Sequence, residues 1–318
     1  MKIDFIKIGK QALAIVKKNR YLWWFGFIIA LTSLSGMPFS FNKEDLNNEA
    51  KQKATDFISS HAVLVASVLI AFFIIFIILL ILGIAARGAV IYSVNLELKG
   101  EKSSFRKGMK IGFRFFWKLL SISWLLGLMV LACIFVMSIP IIFLFANKAF
   151  FLGGFLAFIA LLILIPLFFL FYFLKRYGYL YVVLGKLSAW AALESAYNLL
   201  WKKLRESFFT ALLFAVLGII FSAAAFILII PILILFLIIG LILYLIFKTT
   251  GIIIAVILGF SIFFIAILFL KSIFEAFYYT AWVLVFHEIA KPEMKETVKV
   301  AEEAETKTAP AADAAKGI

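Results

Sequence analysis

The 318 residues are 65% hydrophobic and 15% charged, with 38 Phe and a formal net charge of +14, whereas ordinary soluble domains are about 45 to 50% apolar and about 25% charged. That balance excludes an ordinary soluble domain, and long uncharged runs without polar/apolar alternation exclude a transmembrane β-barrel. The one cysteine, Cys133, excludes a disulfide framework and a cysteine-based metal site.

From the N-terminus, Met1 to Arg20 holds six Lys/Arg against one acid. Stepped at about 100° per residue, Phe5, Ile8, Ala12, Ile15 and Val16 fall on one face and Lys7, Lys10, Lys17 and Lys18 on the other. The period is that of an amphipathic helix. A basic stretch before an apolar run also imitates a signal peptide. The length of this stretch, the Trp23-Trp24 pair and the lack of an A-x-A site argue that the run stays as a helix.

Uncharged runs follow at about 21 to 40, 61 to 86, 119 to 147, 149 to 174, 207 to 247 and 249 to 270. About 20 apolar residues cross the roughly 30 Å hydrocarbon core as helix. Their connections alternate in charge. Arg87 to Lys118 carries eight cations against two acids and Lys175 to Glu206 six against two, while Phe41 to Ser60 has three against four and the turns at Lys148 and Lys248 are short. Because Lys and Arg are retained inside, this pattern predicts six spans in the cell membrane with both termini cytoplasmic. The stretch "NKEDLNNEAKQKATD" reads as a short exposed outer helix.

Two further basic amphipathic helices are predicted at the inner connections. In Phe105 to Leu120, Phe105, Met109, Phe116 and Leu119 oppose Lys107, Lys110, Arg114 and Lys118. In Trp190 to Leu204, one face gathers Trp190, Leu193, Tyr197, Leu200, Trp201 and Leu204, with Lys202 and neighbouring Lys203 at its end. The returning runs end alike, in "RGAVIYSV", "RYGYLYVV" and "AFYYTAWVLV". The chain therefore reads as an all-α polytopic bundle of three hairpins, each preceded by a basic interfacial helix, in a weak threefold repeat over about 5 to 95, 104 to 184 and 188 to 285.

The 41-residue run from Ser207 to Phe247 would reach about 60 Å as one helix. Pro231 is the predicted break, with 208 to 230 as the span and 232 to 247 as a re-entrant segment; the rival reading makes 232 to 247 a seventh span. Beyond about Pro292 the Ala, Glu, Lys and Thr composition predicts a disordered cytoplasmic tail, 291 to 318, closing a transmembrane domain of 1 to 290.

Catalytic signatures are missing. There is no G-x-x-x-x-G-K-[ST] loop, no G-x-S-x-G elbow and no H-E-x-x-H. His61 and His287 fall at opposite membrane faces in the six-span reading, so they share neither a metal nor a proton relay. Lys271 and Glu275, one turn apart, read as an interfacial ion pair near the inner end of the last span. No catalytic residue, cofactor or metal is expected. Nucleic acid is not the expected partner of "MKIGFRFFWKLL", because its cations and aromatics take opposite helical faces.

"RGAVIYSVNLELKGEKSSFRKGMKIGFRFFWKLL", "LSAWAALESAYNLLWKKLRESFFTALLF" and "AFYYTAWVLVFHEIAKPE" together resemble prokaryotic multi-pass membrane proteins related to the membrane domain found fused to glycerophosphodiester phosphodiesterases. The resemblance implies membrane location and six spans. In fused relatives the chemistry belongs to a separate soluble barrel with no counterpart here, so it carries no catalytic residue across. The expected function is a non-enzymatic membrane protein in a scaffold or membrane-homeostasis role. Its expected partner is anionic membrane lipid, met by Lys7, Lys10, Lys17, Lys18, Lys107, Lys110, Arg114, Lys118, Lys202 and Lys203. The alternative is a transporter or permease subunit for a hydrophobic or lipid-like substrate.

Overall fold

The computed structural model describes residues 4–33 and 48–308, and all the regular structure among them is helical: α1 (Phe5–Lys18), α2 (Tyr21–Ser33), α3 (Asn48–Ser60), α4 (Ala62–Leu98), α5 (Phe105–Ala146), α6 (Phe150–Leu184), α7 (Ala189–Lys202) and α8 (Leu204–Thr308). Four of these, α4, α5, α6 and α8, are long and apolar enough to cross a membrane. The short helix α3 occupies the acidic connection where one was expected.

The three basic helices begin on side-chain caps. Asp4 accepts from the Lys7 amide at 3.0 Å, Ser104 from Lys107 at 3.3 Å and Ser188 from Ala191 at 3.3 Å. Each cap satisfies one amide that the first turn leaves without an intrahelical partner. The turns after α5 and within α8 rest on lysines at positive φ, Lys148 at 59° and Lys248 at 50°.

Lys248, and not Pro231, interrupts the longest apolar run. Helical backbone passes Pro231 without interruption, as membrane helices allow when small local adjustments satisfy the freed carbonyl. Residues 232 to 247 therefore continue the helix of 208 to 230. At Lys248 the chain doubles back: Gly240 faces Ala255, Gly259 faces Phe236, and the Phe221 ring stacks on Phe274 at 4.4 Å. These contacts make α8 an antiparallel hairpin with arms 204 to 247 and 249 to 290. Helix continues to Thr308, through the first part of the segment expected to be disordered; residues 309 to 318 lie outside the described residues. The first expected span, 21 to 40, is described only as the 13-residue α2.

Burial divides the molecule lengthwise. A packed base is built from α1, α2, the end of α4, the start of α5, the end of α6, α7 and the α8 return arm from about Ala276 to Ala290. Trp282 sits at its centre, 1% exposed, ringed by Phe214 at 5.0 Å, Phe173 at 5.8 Å and Tyr177 at 5.9 Å. Helices meet here through missing side chains. A Cβ on Gly26 would fall on the Ser272 carbonyl, and one on Gly112 on the Ala85 carbonyl. The remaining halves of the long helices project as arms whose Phe, Ile and Leu side chains are exposed. In α5, no residue of the most apolar 18-residue stretch is buried.

One amphipathic face is buried only in part, at Leu193 and Leu200. α1 buries Ile8, Ala12 and Val16, as its period predicts. α7 instead buries Ala192, Leu193, Ala196, Leu199 and Leu200, leaving Trp190 71% and Trp201 56% exposed. The buried face combines two alanines with three leucines, and Leu193 lies against Gly178 of α6. The bulkier aromatic stripe faces outward.

Candidate functional site

Where the base gives way to the arms, charged residues from three helices converge. Arg87 comes from α4, Lys175 and Arg176 from α6 and Glu275 from α8, and with Ser33 of α2 and the phenols of Tyr172, Tyr179 and Tyr279 they line a 220 Å³ cavity. Arg87 and Lys175 also form one end of a second, 520 Å³ cleft between α2, α4 and α5. Its remaining walls are mainly apolar, including Leu31, Phe76, Leu80, Trp124 and Leu128.

The cluster is held by aromatic contacts more than by ion pairing. The Arg176 guanidinium carbon lies 4.6 Å from the Tyr279 ring centre, 4.7 Å from Tyr278 and 5.6 Å from Tyr172. Cation–π attraction is worth about 2 kcal/mol when such a group is desolvated. The Tyr172 and Tyr278 hydroxyls bond each other and close this cage. Tyr179 lies beside the Arg87 guanidinium and shares a hydrogen bond with Ser123, a residue of the cleft. One polar atom is left over: the Nε of Arg87 is buried without a hydrogen-bond partner.

Glu275 interacts first with Arg176, then with Lys271 and Arg87. It is thus drawn into the cavity rather than confined to the pair with Lys271. Lys175 lies beside the Arg87 and Arg176 charges. The site gathers three cations around one carboxylate.

The residues expected to contact headgroups lie elsewhere, on the outer surface of the base. Lys7, Lys10, Lys17, Lys18, Lys107, Lys110, Arg114, Lys118 and Lys202 are exposed and Lys203 is half-buried. Lys118 is tied back, donating from Nζ to the carbonyls of Lys186 and Leu187 at 3.3 Å each. His287 meets Asn95 at 3.1 Å, bracing the end of α4 against α8. Among the described residues, no group of three or more His, Cys, Asp or Glu could hold a metal ion.

Arg87, Lys175 and Arg176 were legible only as the first cations after an uncharged run. The available signal was that two returning runs end in Arg87 or Lys175-Arg176 and the third in Lys271 with Glu275 one turn on, each followed by tyrosines within a few residues. No family model, curated protein or solved structure matches the chain.

Proposed function

We propose that the chain is a non-enzymatic integral membrane protein that crosses the cell membrane six times, keeps both termini in the cytoplasm and engages anionic lipid through its basic helices, in a scaffold or membrane-homeostasis role. The observation that carries this reading is the surface of the base. Exposed lysines of α1, α5 and α7 share it with exposed Trp24, Trp117, Trp190 and Trp201. Indoles settle at the headgroup level, and each Lys or Arg near an anionic surface contributes about 1 kcal/mol.

The test compares retention of the purified protein in nanodiscs of phosphatidylglycerol and of phosphatidylcholine. Reversing Lys107, Lys110 and Arg114 to Glu is expected to remove the preference for the anionic disc. Lys118 is spared because its bonds to the α6–α7 connection confuse binding with folding. An unchanged preference would reduce these helices to topological anchors. A second reading, transport of an amphipathic substrate, is favoured by the polar cavity at Arg87, Arg176 and Glu275. Flux of a labelled lipid across reconstituted vesicles would support it.

A further inference from the structure

We propose that Arg87 and Lys175, backed by Arg176, seat the phosphate of one anionic phospholipid whose acyl chain lies in the cleft between α2, α4 and α5. The inference deepens the lipid-engaging reading by assigning it a discrete site, distinct from the exposed lysines of the base.

Three observations lead there. Among the described residues the charge does not balance: Arg87, Lys175 and Arg176 line the small cavity with a single carboxylate, Glu275. Holding cations beside hydrocarbon is costly, so an anion of matching charge stabilises such an arrangement. Next, the Arg87 Nε is buried and unbonded, and guanidinium groups present paired donors suited to phosphate oxygens. Finally, the two cations at the cleft end are continuous with apolar walls enclosing 520 Å³, within the roughly 300 to 1,000 Å³ range of ligand sites.

The geometry separates the roles. Arg176 is already enclosed by three tyrosine rings and serves as a fixed positive wall. Glu275 lines the small cavity but not the cleft. A headgroup entering along the cleft therefore meets Arg87 and Lys175 before it meets the carboxylate. Free phosphate satisfies the cations but leaves the apolar walls empty, and a zwitterionic headgroup brings its own cation into a positive site. Gly127 marks the tail's path, because a Cβ there would meet nothing within 4 Å.

The test is native mass spectrometry of the full chain released from detergent, with added dioleoyl phosphatidic acid, dioleoyl phosphatidylcholine or inorganic phosphate. Wild type is expected to carry one phosphatidic acid at concentrations where phosphatidylcholine binds at least tenfold less. R87Q combined with K175Q should weaken that adduct tenfold or more, and R87K should retain most of it. G127F, which fills the cleft without touching the cations, should weaken phosphatidic acid but leave phosphate binding unchanged; thermal unfolding of each variant verifies folding. Equal binding of both lipids, or an adduct insensitive to both R87Q/K175Q and G127F in folded protein, overturns the proposal. Phosphate that competes with the lipid while G127F has no effect also overturns it, since the site then takes a free anion. Reversal of Lys107, Lys110 and Arg114 should leave the single adduct intact. A nanodisc preference unchanged by that reversal, with the adduct behaving as expected, thus fails the surface reading alone, and a preference lost on reversal with an adduct insensitive to R87Q/K175Q and G127F fails only this one.

Discussion

The two halves of α4 differ in what they touch and in what they are made of. From Ala62 to Ile78 nearly every side chain is exposed, in a run of Val, Leu, Phe and Ile; from Gly83 to Val94 nearly every one is buried, in a run rich in Gly and Ala. α6 repeats the contrast, with Phe151 86% exposed and Tyr177 fully buried. Hydrophobicity alone therefore does not decide which half packs. Lipid tails are as apolar as leucine, so large aliphatic side chains gain little by leaving them for one another. Small residues that let backbones meet, and tyrosines and serines that bond between helices, hold the base together.

Substitutions that treat the halves alike break this comparison. The largest effect is expected at Trp282, where replacement by Ala should cost about 3 to 5 kcal/mol, as for other buried large aromatics, and should sharply lower the unfolding temperature in detergent. Phe151→Ala in the α6 arm removes a comparably large ring and should shift stability by about 0.5 kcal/mol or less. Next comes Gly112→Val, whose side chain must displace the Ala85 backbone. Overpacking of this kind costs about 1 to 3 kcal/mol, visible as faster proteolysis between α4 and α5. A smaller loss is expected for Ser207→Ala, which strips the buried Tyr177 hydroxyl of its 2.9 Å partner at about 1 to 2 kcal/mol. Smallest among the substitutions in the base is Lys118→Ala, where an exposed side chain gives up two 3.3 Å bonds for about 0.5 to 1 kcal/mol.

Helix positions and the apolar face of α1 were legible because they depend on one chain segment and its 3.6-residue period. The α7 face was not. Periodicity weights large side chains, whereas α7 buries Ala192, Ala196 and Leu199 and leaves Trp190 and Trp201 exposed. Pro231 misled for a related reason: its cost in water is reduced where membrane helices readjust around it, and the chain turns instead at Lys248. The cationic site was the least legible part. Arg87, Lys175 and Glu275 are far apart in sequence, and each alone looks like the ordinary charged end of an apolar run. Only the crossing of α4, α6 and α8 brings them to one depth.

The central claim is that the arms lie in hydrocarbon while the base meets water and headgroups. Site-directed spin labelling measures this directly, with single cysteines introduced at Phe76, Phe158 and Phe260 of the arms and at Lys107 and Lys202 of the base in a chain lacking Cys133. The account predicts that arm labels in bilayers collide freely with oxygen and are shielded from a water-soluble nickel chelate, while base labels show the reverse. Nickel accessibility at the arm positions equal to that at the base would contradict it.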